Sequence, residues 1–159
     1  MKVLVLYHSK GGNTKKLAKA VLEGLESVEG IEGVIKDTES VTKDDFIEAS
    51  GVIAGSPVYF GGMAAQLKAV LDEFVSTRRK MEGKVGAVFT TSGDLTGGKE
   101  TTMMSIIQAF LIYGMIIVGD PMSATGHYGT SCVGVPDAAV RENGQRLGRR
   151  VAELAKQLR

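Results

Sequence analysis

A doubly wound α/β domain with a five-stranded parallel sheet is the fold this sequence predicts, and three observations carry the expectation. Short apolar runs alternate with amphipathic helical patterns along the chain. The apolar runs are nearly continuous, as in strands covered on both faces. The segments after the first, third and fourth runs are rich in glycine, and in this architecture those segments meet at the ligand-binding end of the sheet.

The first strand spans residues 2–6, and the helix after it spans 14–26, where Leu17, Ala18, Val21, Leu22 and Leu25 recur at helical spacing. A weak strand at 34–36 is the least apolar, with Glu32 and Lys36 in or beside it, and belongs at an edge. A short helix over 43–49 is preceded by Thr42, and Asp45 three residues on makes the pair read as a capping box. The third strand, 52–55, leads to a helix over 63–76 whose Leu67, Val70, Leu71 and Phe74 share one face. The fourth strand at 85–89 is followed by a helix over 100–113, then the fifth strand at 115–118. A last helix over 137–157 aligns Leu147, Val151, Leu154 and Leu158. Right-handed crossovers then place helices on both faces of one sheet. No repeat or linker interrupts the chain, so residues 1–159 read as a single domain.

Composition removes several function classes. Nineteen basic and eighteen acidic residues give a formal charge of +1, which recommends neither nucleic acid nor an anionic membrane as partner. The longest apolar stretch, 106–118, is too short to span a bilayer and is broken by Gln108 and Gly114. The first residues enter a strand directly with no signal-peptide pattern, so a cytoplasmic location is expected. Cys132 stands alone and reads as a small buried hydrophobe. His8 and His127 flank no cluster with ligand spacing, and no metal site is expected.

Between the first strand and the first helix lie Ser9, Lys10, Gly11, Gly12, Asn13 and Thr14. The glycines let backbone N–H groups turn inward, the helix N-terminus adds partial positive charge, and Ser9, Asn13 and Thr14 offer further hydrogen bonds to an anion. Phosphate is the ligand such a loop suits, although Ser/Gly/Asn/Thr turns also precede helices for capping reasons alone. Neither the nucleoside-triphosphate loop spacing nor the dinucleotide fingerprint is present. The loop after the third strand carries Pro57, Val58, Tyr59, Phe60 and Gly61, and the loop after the fourth carries Thr91, Ser92, Gly93, Asp94 and Thr96. Two such loops beside a phosphate cradle make a slot for a flat, hydrogen-bonding ring.

With these motifs in order, the chain resembles the flavodoxin superfamily. It is similar to flavodoxins and to the tryptophan-repressor-binding-protein type of NAD(P)H:quinone oxidoreductase. The resemblance covers residues 1–28 and 51–159, and its most specific portions are the Gly55 to Met63 stretch, the Gly83 to Thr101 stretch and Tyr113 to Gly119. It implies the strand order 2-1-3-4-5 and FMN as cofactor, with Ser9 to Thr14 on the phosphate, Pro57 to Gly61 along the isoalloxazine and Thr91 to Thr96 at its pyrimidine edge. Val58 and Tyr59 stand where the quinone reductases have Thr and Arg, and Ile112 and Tyr113 where they have paired histidines. Unlike ordinary flavodoxins, the chain is near neutral and has no Trp.

Tyr59, Phe60 and Tyr128 are therefore the aromatic candidates for stacking on the flavin, with core packing the competing role for Phe60. Asp94 either opposes negative charge on the reduced flavin or organises its own turn, the latter being favoured. Lys10 either adds a charged contact to phosphate or stays solvated. Two functions follow from the resemblance. One is an electron carrier between a reductase and an acceptor protein, which is favoured. The other is an NAD(P)H-dependent oxidoreductase reducing a quinone or FMN, a reading that goes with a homo-oligomer.

Overall fold

The computed structural model describes residues 1–158. In chain order the elements are β1 (Lys2–Tyr7), α1 (Asn13–Glu26), β2 (Glu32–Asp37), α2 (Lys43–Glu48), β3 (Gly51–Pro57) and α3 (Ala65–Glu73). A 3-10 turn (Phe74–Thr77) and α4 (Arg78–Met81) follow, then β4 (Val85–Ser92), α5 (Lys99–Ile112), β5 (Ile116–Ile117), β6 (Thr130–Val133) and α6 (Ala138–Gln157). The sheet is parallel with order β2-β1-β3-β4-β5, as the resemblance implies, and β6 pairs with β4 beyond the end of β5.

Alternation along each central strand divides the core in two. Leu4, Leu6, Val52, Ala54 and Val88 face one side with Phe46, Leu67, Ile106 and Phe110, from the α2, α3 and α5 segments. Val3, Val5, Ile53, Ala87 and Phe89 face the other with Leu17, Val21, Leu147 and Val151, from α1 and α6. These strands are buried on both faces, which explains their unbroken apolar character. Helices α1 and α6 cross with their backbones touching: a Cβ added to Gly24 would lie 1.9 Å from the Gln145 carbonyl oxygen, and one on Gly148 would lie 2.1 Å from that of Val21.

The Thr42 capping box forms as read. Thr42 Oγ1 accepts the Asp45 N–H at 3.2 Å and Asp45 Oδ2 accepts the Thr42 N–H at 2.9 Å. Leu158 departs from expectation: it is 53% exposed just past the end of α6, while Leu147 and Val151 are fully buried. The helix expected over 63–76 forms in two pieces, α3 and the 3-10 turn that tightens the chain at Phe74, and the short α4 follows beyond it.

The largest departure lies in the fifth strand. After β5 the Val118 N–H still donates to the Gly86 carbonyl, but the chain then leaves the sheet and re-enters only at Thr130, opposite Phe89. Pro121, which has no N–H for a ladder, lies early in this excursion. One buried carboxylate closes it. Asp120 accepts the Thr125 N–H at 2.9 Å, the Gly126 N–H at 3.2 Å and the His127 N–H at 2.8 Å, and also the Thr125 hydroxyl. Arg150 of α6 donates to the carbonyls of Gly119 and Asp120 at 3.1 and 3.0 Å, which clips the strap to the helix.

Burial pushes the Asp120 carboxyl up, but the Thr125 hydroxyl and amide and the His127 amide outweigh it and hold the group below its usual value. A depressed carboxylate stabilises the fold above its unfolded pKa, and that contribution fades as pH falls through its folded value. Replacement Asp120→Asn is expected to lower the unfolding free energy by roughly 1–3 kcal/mol at neutral pH. The gap from the native chain should shrink as pH drops below the ordinary carboxylate range, which urea melts at neutral and acid pH would measure.

Candidate functional site

Parallel strands end at a common rim, and the loops after β1, β3 and β4 converge there. The His8 N–H donates to the Gly55 carbonyl at 3.0 Å, carrying the β1 and β3 pairing one step past the strands. Ser9 Oγ then accepts the N–H groups of Gly12 at 3.1 Å and Lys15 at 3.2 Å, so the loop bends around this hydroxyl. Gly12 makes the entry into α1 with φ of 89°, in the left-handed region that favours glycine. The first-turn N–H groups of Asn13 and Thr14 take no intramolecular acceptor among the described residues.

The cradle fits a phosphate. A Cβ built on Gly11 or Gly12 meets nothing within 4 Å, so the backbone faces open space. No carboxylate lies between Ser9 and Lys16, and Lys10, Lys15 and Lys16 supply positive charge. Open amides at a helix N-terminus beside lysines are the usual setting for a phosphate dianion.

Thr14 Oγ1 and Thr91 Oγ1 lie 2.9 Å apart, both residues buried, and this contact ties the cradle to the end of β4. The Val58 N–H donates to the Thr91 carbonyl at 2.8 Å, which adds the third loop. Strand β4 runs on through Thr90, Thr91 and Ser92, all buried, where a loop was expected from Thr90. Pairing on both sides, with β3 and β6, keeps these residues in the sheet.

Tyr59 and Gly62 exchange two backbone hydrogen bonds of 3.0 and 3.1 Å and close a two-residue turn. At its apex Phe60 has φ of 50° and Gly61 of 75°, the signature of a type I′ turn. Phe60 is the only non-glycine residue with positive φ among the described residues, and its ring is fully exposed. Core packing is therefore excluded for Phe60. Pro57 ends β3 beside it, and the Tyr59 ring stands edge-on to His8 at 6.5 Å.

Asp94 adopts the turn-forming role. Its Oδ1 accepts both the N–H and the hydroxyl of Thr96 at 2.8 Å, and its carbonyl accepts the Ser92 hydroxyl at 2.6 Å. The Thr96 amide and hydroxyl hold the Asp94 carboxyl below its usual range. Gly93 at the tip has nothing within 4 Å of an added Cβ.

Tyr128 is not gathered with these loops. Gly129 backs onto the Val88 carbonyl, halfway down β4, so Tyr128 stands half-exposed on the strap at the side of the sheet with His127, Glu100 and Met103 around a cavity. Cys132 is buried and its thiol is pushed up to about 11 by that burial, in keeping with an inert packing role. Ser56 was not singled out by sequence reasoning, yet its Oγ accepts the Ala64 N–H at 2.8 Å and its carbonyl accepts the Thr90 hydroxyl at 2.6 Å. The available signal was a serine at the end of an otherwise apolar strand.

With this geometry in view, a family model described as NADPH-dependent FMN reductase matches residues 37–130. A flavodoxin of Aquifex aeolicus is 36% identical over 96% of this chain and 85% of its own length. An NAD(P)H dehydrogenase (quinone) of Archaeoglobus fulgidus is 35% identical over 99% of this chain and 98% of its own. Among solved structures, a flavodoxin, WrbA-like protein from Agrobacterium tumefaciens superposes with a TM-score of 0.86 at 26% identity, covering 99% of both chains. The chain belongs to the flavodoxin-like superfamily of FMN-binding redox proteins.

Replacing Thr91 by Val leaves the buried Thr14 hydroxyl without a partner, and should lower stability by about 1–3 kcal/mol and FMN affinity by about tenfold. The double variant Thr14→Val with Thr91→Val should lose less stability than the sum of the two single changes. Denaturant melts and FMN fluorescence titrations of the three proteins would measure both effects.

Proposed function

We propose that this protein is an electron carrier that receives electrons from a reductase and delivers them to an acceptor protein through FMN held at the rim. Bound FMN takes up and releases electrons one or two at a time. The open amides of Asn13 and Thr14 hold its phosphate, together with the Ser9 hydroxyl and the Asn13 side chain. Gly11 and Gly12 keep the approach clear, and Lys10, exposed on the loop, adds charge. Pro57, Val58, Tyr59, Phe60 and Gly61 lie along the isoalloxazine. Thr91, Ser92, Gly93, Asp94 and Thr96 meet its pyrimidine edge. Tyr128, on the strap, faces a docking partner rather than the phosphate.

The observation that carries this reading is the apolar collar on the loops of the rim. Phe60 projects fully into solvent from the apex of its turn, Leu95 is 73% exposed on the facing loop, and Tyr59 is 40% exposed. A phenyl ring held outward on a left-handed, non-glycine backbone is an unfavourable arrangement for an isolated surface. Even with one side along the isoalloxazine, this apex and Leu95 on the facing loop keep an apolar collar around the flavin that a docking protein surface covers.

A second reading, an NAD(P)H-dependent oxidoreductase acting on a quinone or on FMN, is favoured by two matches. One is the family model described as NADPH-dependent FMN reductase, and the other is the near full-length alignment with an NAD(P)H dehydrogenase (quinone). Partners are accordingly redox proteins in the first reading, and NAD(P)H and a quinone in the second. Among the described residues no helix is long and apolar enough to cross a membrane.

An anaerobic titration separates the two. On adding NADH and then NADPH to the FMN-loaded protein, the flavin's visible absorbance is expected to stay unchanged until a separate reductase is supplied. Rapid bleaching by either nucleotide alone would replace the carrier with the oxidoreductase.

A further inference from the structure

The Gly97-Gly98 step leads from the Asp94 turn into α5, and it stands between the loop after β4 and the loop after β3. On one side, the Gly97 N–H donates to the Asp94 carbonyl at 3.3 Å, and a Cβ added to Gly97 would lie 2.6 Å from the Ser92 Oγ. On the other side, a Cβ added to Gly98 would lie 2.8 Å from the Gly61 Cα, closer than Cβ atoms approach backbone in folded proteins. That neighbour is main chain, so it cannot swing aside as a flexible side chain would. The two bare residues thus let both loops close on the start of α5.

Helix α5 supports the same loop with its side chains. Thr101 Oγ1 donates to the Gly98 carbonyl at 3.0 Å and lies 3.5 Å from where a Gly61 Cβ would stand. Ser105 Oγ accepts the Met63 N–H at 3.2 Å and donates to the Thr102 carbonyl at 2.7 Å. Gly98, Thr101 and Ser105 recur at helical spacing, so they share one side of α5. The ends of the loop are fastened elsewhere, Val58 N–H to the Thr91 carbonyl and Ala64 N–H to Ser56 Oγ. Its middle, with the Phe60 and Gly61 apex, rests on α5.

We propose that Gly97, Gly98 and Ser105 are positioning residues for the flavin, which set the spacing of the loops after β3 and β4 and so the fit of the isoalloxazine between them. A flat ring held between two walls loses contact with one of them when the walls shift, and supports that lock such walls carry part of the binding. Gly98 has φ of 98°, so its backbone alone would account for a glycine there. Gly97 has no left-handed φ and Ser105 is no glycine, so local backbone strain does not account for the set. The phosphate cradle is tied to β4 separately through Thr14 and Thr91, which confines the effect to the ring. The proposal rests on FMN lying at the rim with its ring against the Pro57 to Gly61 loop, and not on which redox reading holds.

Two probes of the flavin-free chain separate ring from phosphate. FMN is followed by fluorescence quenching, and inorganic phosphate by the Asn13 and Thr14 amide shifts. Gly98→Ala is expected to weaken FMN binding by about tenfold or more, and Gly97→Ala and Ser105→Ala by about threefold to tenfold, with phosphate affinity within about twofold of native in each. Ser105→Ala adds no bulk and carries the test should either glycine variant fail to fold. Variants that lower only the urea midpoint, or that weaken FMN and phosphate in equal proportion, overturn the positioning role. Tyr59→Ala tells that failure from a failure of the site. If Tyr59→Ala weakens FMN while the α5 variants do not, the positioning role alone is overturned. If Tyr59→Ala also leaves FMN affinity unchanged, the ring does not lie against this loop, and the placement of the flavin falls together with the proposal.

Discussion

The buried contact between the hydroxyls of Thr14 and Thr91 is the constraint on which the functional end of this molecule depends. Thr14 sits in the first turn of α1 and Thr91 near the end of β4, so the contact joins two elements 77 residues apart in sequence. It fixes the distance between the open-amide terminus of α1 and the strand whose loop borders the same rim. The Val58 amide on the Thr91 carbonyl then brings in the third loop, so Thr91 serves both neighbours, one through its side chain and one through its backbone. This works because the sheet is parallel. Every strand delivers its following loop to the same end, and β1, β3 and β4 are neighbours.

The two ends of the sheet are built for different purposes. At the rim, backbone amides of α1 are left open and Phe60 is held outward on a left-handed turn, features that carry a cost without a ligand or partner. Away from it, the backbone contact of α1 with α6 through Gly24 and Gly148 packs one face tightly. The strap between β5 and β6 is fastened to α6 through Arg150 and closed on itself by Asp120. Rigidity in these supports keeps the rim loops in place, since loops on a fixed scaffold can hold a cofactor with little reorganisation.

Much of this was legible in the sequence. Unbroken apolar runs identified β1, β3 and β4, the Thr42 and Asp45 spacing identified the cap of α2, and the glycines of the Ser9 to Thr14 loop marked the turn into α1. The split of the fifth strand was not legible, because residues 130–133 mix Thr, Ser, Cys and Val without a marked period, and the strap depends on Asp120, a single carboxylate whose four donors lie five to seven residues away. The reach of β4 through Ser92 was masked because Thr90, Thr91 and Ser92 are polar; they are buried because their hydroxyls are engaged by Ser56, Thr14 and Asp94. Position was also not legible for two aromatics. Phe60 is turned out by a backbone conformation that a Phe-Gly pair only weakly signals, and Tyr128 is carried to the side of the sheet by a strap that periodicity does not reveal.

The central claim is that one rim, assembled by β1, β3 and β4, holds FMN. An amide NMR titration of the flavin-free chain with FMN tests it most directly. Shifts concentrated at Ser9 to Thr14, Pro57 to Gly61 and Thr91 to Thr96, with the Val75 and Ile112 amides unmoved, are the result this account predicts. Shifts centred on the strap around Tyr128 or on the α3 and α5 face, with the Asn13 and Thr14 amides unchanged, would contradict it.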